Sequence, residues 1–228
     1  MIFTDMGIVL LRVNTLENDR TVCIYTKTRG RVVVRYRGVN RPSGKMKALS
    51  EPLVCADFRV HWKTGAQTGV GAGGKIHSVY PGIRADLARL MLALHFCELT
   101  YRMTPLAQPN AGKYDLLASA LAHLNRFPPP NAMRHAFLLR LMELAGYGLE
   151  NPVLGIDRAF WRKLHFADFG DLDFSSEEDL EYLSRTDTVA RRFMASQFKM
   201  PLNTVAFFDK INDVSSSEPQ SLLKVSLS

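Results

Sequence analysis

The sequence predicts an α+β chain of two domains, a five-stranded β-barrel followed by an all-helical unit. Three observations carry that reading. Five short strand-like segments crowd the first eighty residues with no helix of any length between them. At Pro81-Gly82 the hydrophobic pattern changes from alternation to helical spacing and stays helical. The charge divides at the same place: residues 1–80 hold 13 Lys/Arg against 5 Asp/Glu, whereas residues 81–228 hold 16 against 17. A basic first domain joined to a near-neutral second one is the pattern of a chain that meets a polyanion through one domain only.

The strands follow in order. Met6–Val13 (MGIVLLRV) gives the first, and a polar turn, NTLENDR, leads to the second, Thr21–Lys27. Thr28-Arg29-Gly30 turns into the third, Arg31–Val39, where Val32, Val34 and Tyr36 share one face and Arg31, Arg35 and Arg37 share the other with Val33. Tyr36 therefore reads as a core tyrosine rather than a stacking platform. Pro52–Trp62 is the fourth strand, its core parity being Val54, Ala56, Phe58, Val60 and Trp62. A Gly-rich connection, KTGAQTGVGAGG, then leads to a fifth strand, Lys75–Tyr80. Five such strands suit a small closed barrel, and the OB-fold is the five-stranded solution that commonly binds single-stranded nucleic acid.

The second domain opens with Ile83–Met103, one long helix that is hydrophobic nearly all round and so belongs at the centre. Lys113–Arg126 and Asn131–Ala145 follow, separated by Phe127-Pro128-Pro129-Pro130 and closed by Gly146-Tyr147-Gly148. Residues 164–184 carry seven acids and neither Lys nor Arg, and within them Ser175 and Glu178 form a capping box for a short helix ending at Ser184. Thr188–Lys199 is the last clear helix, and Leu202–Ile211 is compatible with another. The division is thus a barrel at 1–80, a helical domain at 81–214 and a Ser-rich tail at 215–228, which reads as disordered.

The functional signal lies in Lys27–Lys47, which holds eight basic residues and no carboxylate. Repeated donors without interspersed acids suit a phosphate backbone, and they make Arg29, Arg31, Arg35, Arg37, Arg41, Lys45 and Lys47 the candidate DNA-binding residues. A solvated edge strand kept basic against aggregation is the plainer reading of the same run. Other chemistry finds little support. Gly69–Lys75 (GVGAGGK) matches a phosphate-binding loop formally, but Ile76 stands where a hydroxyl is needed and no helix follows; it reads as a flexible hairpin connection. The six histidines show no metal-ligand spacing, and Cys23, Cys55 and Cys97 sit apart in apolar stretches, as free thiols of a reducing compartment do. No leader and no membrane span is expected, which places the chain in the cytosol. No nucleophile–base constellation emerges, so neither an enzyme nor a cofactor is expected.

Four segments resemble the RecO family of bacterial recombination mediators: the opening GIVLLRVNTLENDRTVCIYTKTRGRVVVRYRGVNRPSGKMKALSEPL, RADLARLMLALHFCELTYRMTP, FLLRLMELAGYG at Phe137–Gly148, and ARRFMASQFKMPLNT. The resemblance implies an N-terminal OB-fold with a helical C-terminal domain, matching the residue-level reading. It also implies binding of single- and double-stranded DNA, annealing of complementary strands, partnership with RecR, binding of the C-terminal tail of single-stranded-DNA-binding protein, and help in loading RecA, all at the bacterial nucleoid. Many members carry a four-cysteine zinc module just after the segment resembling LAGYG. Here residues 149–174 hold no cysteine, so a degenerate module without metal is expected, packed instead by Phe160, Trp161, Leu164 and Phe166. The acidic partner tail, ending in an apolar residue and a free carboxylate, calls for a greasy groove rimmed by arginines. Arg191 and Arg192, with Arg134 or Arg140, are the implied candidates, although the same residues also suit capping or solvating their own helices. The function implied is a non-catalytic annealing mediator; a general single-strand DNA- or RNA-binding OB protein without a recombination role is the alternative.

Overall fold

The β-rich third of the chain closes on itself. A computed structural model describes residues 1–16, 18–42, 46–147, 158–197 and 204. Its strands are β1 (Ile2–Leu16), β2 (Asp19–Thr26), β3 (Gly30–Tyr36), β4 (Cys55–His61) and β5 (Gly69–Ser78). β1 is long enough to serve two partners: its first half pairs antiparallel with β4 and its second half with β2. A short parallel contact, Val34 with Gly69 and Arg35 with Val70, joins β3 to β5 and closes the barrel in the order β1-β2-β3-β5-β4. This is the connectivity of an OB-type barrel. The alternation expected of β3 and β4 is observed: Val32, Val34, Tyr36, Ala56, Phe58 and Val60 are buried together with Val9, Val22 and Ile24. Trp62 departs from its expected place in the core and stands half-buried at the barrel mouth.

β5 begins six residues before the expected strand, and the stretch read as a hairpin connection is the strand itself. Glycine is poor in strand propensity and carries no hydrophobic signal, so alternation hid it. The packing supplies the reason for the glycine: a Cβ at Gly71 would lie 2.3 Å from the Tyr36 ring, and one at Gly69 2.5 Å from Val60. Because GVGAGGK is continuous β-structure, it offers neither the loop nor the helix N-terminus that a phosphate-binding loop uses.

The outer face of β1 and β2 (Ile8, Leu10, Cys23 and Tyr25) packs into the helical core. The helices are α1 (Pro81–Arg84), α2 (Leu87–Arg102), α3 (Ala111–Arg126), α4 (Met133–Leu144), α5 (Arg158–Phe166) and α6 (Glu177–Gln197). The single helix expected over 83–103 is divided. Asp86 adopts an extended conformation and its carboxylate accepts the Arg89 N–H, which starts α2 afresh. α2 is central as expected, and its Phe96 stacks on Phe137 of α4 with ring centroids 4.0 Å apart. Conversely, the two helices expected around 175–199 are one, α6, and Ser176 rather than Ser175 caps it by accepting the Asp179 N–H. The intervening Thr186 and Thr188 do not break it, because their hydroxyls donate to the carbonyls of Tyr182 and Ser184 one turn earlier.

Within α5, Phe160 and Leu164 are buried as expected of residues replacing a metal module, and Trp161 packs part-buried against the core. Phe166 is 78% exposed and takes no part; Phe169, Leu172 and Phe174 complete the packing in its stead. All three cysteines are free, and burial pushes the Cys23 and Cys97 thiols up to about 12. Among the described residues no helix is long and apolar enough to cross a membrane. Lys45, residues 149–157, the helix expected over 202–211 apart from Thr204, and the Ser-rich tail lie outside the described residues.

Candidate nucleic-acid interface

Arg31 and Arg35 share the outer face of β3 as expected, but the run does not present one open basic surface; its exposed members lie at the two ends of β3. At the far end, Arg37, Arg41 and Lys47 are exposed along the connection between β3 and β4. Asp19 sets the geometry there. Its carboxylate accepts the Gly38 N–H at 2.8 Å and the Arg35 guanidinium at 2.9 and 2.8 Å. The Gly38 N–H, then the Arg35 and Arg37 charges, hold the Asp19 carboxyl below the usual carboxylate range. Arg35 is thereby half-buried and paired, while Arg37 is turned out.

Beneath this connection lies Arg20, which is 7% exposed and which sequence reasoning passed over. It donates to Asn40 at 2.7 Å, to Ser50 at 3.2 Å and to Glu51 at 2.6 Å, and Glu51 also pairs with Arg12. The two flanks of the basic connection are therefore tied to β2. No local pattern announces such a residue: it adjoins Asp19 in the chain yet serves a different set of partners.

At the near end of β3, Arg31 turns away from solvent. It donates to the Tyr101 carbonyl of α2 at 2.8 Å and lies 4.3 Å over the Tyr101 ring, while its own carbonyl accepts the Ala107 N–H. It joins the domains. Arg29, exposed in the turn before β3, lies 4.2 Å over the Phe3 ring, and Phe3 packs against Trp62 with centroids 6.3 Å apart. Of the seven candidates the structure thus brings Arg37, Arg41 and Lys47 to one rim, sets Arg29 at the other, leaves Arg35 half-buried, and places Arg31 against α2.

The four arginines considered for the partner tail are likewise dispersed. Arg134 and Arg191 converge on Asp187 at 2.7 and 2.6 Å, and Arg192 is exposed one residue along α6. Arg140 is structural: it donates to the carbonyls of Leu164 and Ala167 at 2.8 and 2.6 Å and lies 5.1 Å over the Phe169 ring. Beside Arg134, burial and then the Arg134 charge lower His95 and His135 to about 4. Among the described residues no three His, Cys, Asp or Glu side chains gather as metal ligands, and 149–174 offers no thiolate for zinc.

The family model described as "Recombination protein O N terminal" matches residues 1–80, and that described as "Recombination protein O C terminal" matches residues 84–151. Among curated relatives, "DNA repair protein RecO" of Pelobacter propionicus is 32% identical over 131 residues, covering 58% of this chain and 53% of the relative. The protein of that name from an Exiguobacterium species is 30% identical over 149 residues, covering 65% and 57%, and that from Bacillus subtilis is 27% identical over 140 residues, covering 61% and 54%. The matches span about half the length of these relatives.

Proposed function

The chain belongs to the RecO family, and on that premise we propose that it is a DNA-binding recombination mediator that anneals complementary strands and makes or breaks no covalent bond. The observation that carries the proposal is the exposed rim of Arg37, Arg41 and Lys47 on a closed five-stranded barrel. Two phosphate backbones repel each other; a rim of fixed cations facing both relieves that repulsion without chemistry. In this reading the barrel takes single- and double-stranded DNA, and the helical domain takes partner proteins. Those partners are RecR and the acidic C-terminal tail of single-stranded-DNA-binding protein, whose capture brings the mediator to coated gaps for RecA loading. Arg192, with the Arg134–Asp187–Arg191 set beside it, is the part of α6 suited to receive that tail's carboxylates. Arg35 contributes to the DNA rim as a positioned rather than a free cation.

The test is fluorescence anisotropy of a labelled single strand across a salt series. Four contacts, from Arg29, Arg37, Arg41 and Lys47, give a log–log slope of about −3, and Arg37→Glu with Arg41→Glu reduces its magnitude by about 1.4. Binding that keeps its slope in the double variant removes DNA from this rim, and absence of binding in the wild type overturns the reading as a whole.

A further inference from the structure

At the end of the barrel opposite the basic rim, a cavity of about 330 Å³ is lined by Phe3, Thr28, Arg29, Val32, Trp62 and Pro109, with Met1 and Ala107. Its size falls at the small end of ligand pockets, about 300–1,000 Å³. We infer that this mouth holds one unstacked base of a DNA single strand, against the aromatic pair Phe3 and Trp62, with Arg29 taking the adjoining phosphate. The inference rests on the DNA-binding reading above and adds to it a site for an unpaired base.

The chemistry of the walls favours that occupant. Among the described residues the lining side chains are aromatic, aliphatic, a thioether, a hydroxyl or a guanidinium, and none is a carboxylate. The nearby acid, Asp5, is engaged: it accepts the Thr28 N–H at 3.2 Å and the Thr28 hydroxyl at 2.7 Å, which fixes the turn that presents Arg29. Trp62 is held in place by donating its indole N–H to the Ala66 carbonyl at 3.0 Å. Arg29 already rests over Phe3, the arrangement in which a guanidinium and an aromatic face make a platform for a base. The far wall comes from the helical domain, where Ala107 is held in the left-handed region (φ 55) by its N–H bond to the Arg31 carbonyl at 2.9 Å. Backbone held there without glycine is strained, and such strain gathers at ligand clamps. A base lodged in the mouth cannot pair, so the site selects single strands, whereas the Arg37–Arg41–Lys47 rim accepts either form.

The protein has two tryptophans, Trp62 and Trp161, so a Trp161→Phe background leaves Trp62 as the only indole reporter. Titration with oligothymidylate of about ten nucleotides, within the span of one OB-fold, quenches Trp62 emission; a blunt duplex of equal length does not. In anisotropy, Trp62→Leu and Phe3→Leu each weaken oligothymidylate binding about tenfold, the scale of one base–aromatic stack, and leave duplex binding unchanged. Should either variant fail to fold by circular dichroism, the other variant and the Trp62 emission of the Trp161→Phe background are read in its place, with the change confined to single strands. Tight oligothymidylate binding with Trp62 emission and variant affinities unchanged overturns the pocket while leaving DNA binding standing. Absence of any DNA binding by the wild type overturns the broader reading and the pocket with it.

Discussion

Replacing Gly71 by alanine places a methyl carbon 2.3 Å from Cε1 and 2.5 Å from Cδ1 of Tyr36. Carbon atoms in contact prefer about 3.5–4.0 Å, so the overlap exceeds an ångström. The Tyr36 ring is 0% exposed and sits among the closing strands, so it has no open direction in which to turn. Overpacking of this kind costs about 2–3 kcal/mol, and for a chain of this size each kcal/mol lowers Tm by about 2–4 °C. The expected drop is therefore about 4–12 °C in a thermal melt followed by circular dichroism, with a matching fall in the urea midpoint. A second change tests the cause. Tyr36→Leu clears the space, so the double variant recovers a large part of the Gly71→Ala loss and the two effects fail to add. Tyr36→Phe alone is close to neutral or stabilising, because it deletes a buried hydroxyl that has no hydrogen-bond partner among the described residues. A Gly71→Ala melt within about 1 °C of wild type, or strict additivity in the double variant, would refute the seating of β5 against Tyr36.

Three further outcomes follow from contacts already described. Arg31→Met removes the Tyr101 carbonyl bond and the ring contact and destabilises the protein by about 1–3 kcal/mol in urea titrations, while the salt slope of DNA binding stays as in wild type; a flatter slope would return Arg31 to the DNA contacts. His95 and His135 are held neutral, their pKa lowered from 6.5 to about 4, so the stability they contribute is complete above pH 6.5 and is lost as the pH falls through 4. Urea midpoints measured over that range decline, and the decline is shallower in His95→Asn; an identical profile contradicts the assignment. Arg140→Met strips two donors from the carbonyls of Leu164 and Ala167, costing about 2–3 kcal/mol and speeding amide exchange at the end of α5 without changing affinity for DNA; unchanged exchange there would show that Arg140 does not hold α5.

β3 and β4 were legible because β-branched and aromatic residues alternate cleanly along them, and a period of two has one structural meaning. β5 was not, because its inward positions are glycines whose purpose is to leave room for Tyr36, a residue 35 positions earlier. The division of α1 from α2 depended on one capping carboxylate, Asp86, inside a run that is apolar on both sides. For the candidate site, composition found the basic run but could not aim it. Arg31 and Arg35 do lie on one face of β3, yet Tyr101 covers that face at one end and Asp19 pairs with it at the other. Phe3 and Trp62 carry no joint signal at all: the register that sets Phe3 opposite Val60 is what brings them together.

Arg20 pins Asn40 on one side of the connection between β3 and β4, and Ser50 and Glu51 on the other. With both ends anchored, the entropic cost of closing the intervening segment grows only logarithmically with its length. Length can accordingly change between Arg41 and Met46 at little cost to the barrel below, whereas Met46 and Leu49, which pack into the barrel core, must stay. This edge is a grafting port: a stretch of foreign sequence spliced between Arg41 and Met46 would inherit a fixed take-off and landing, and through them a place on the surface beside the strands that the barrel already holds in register.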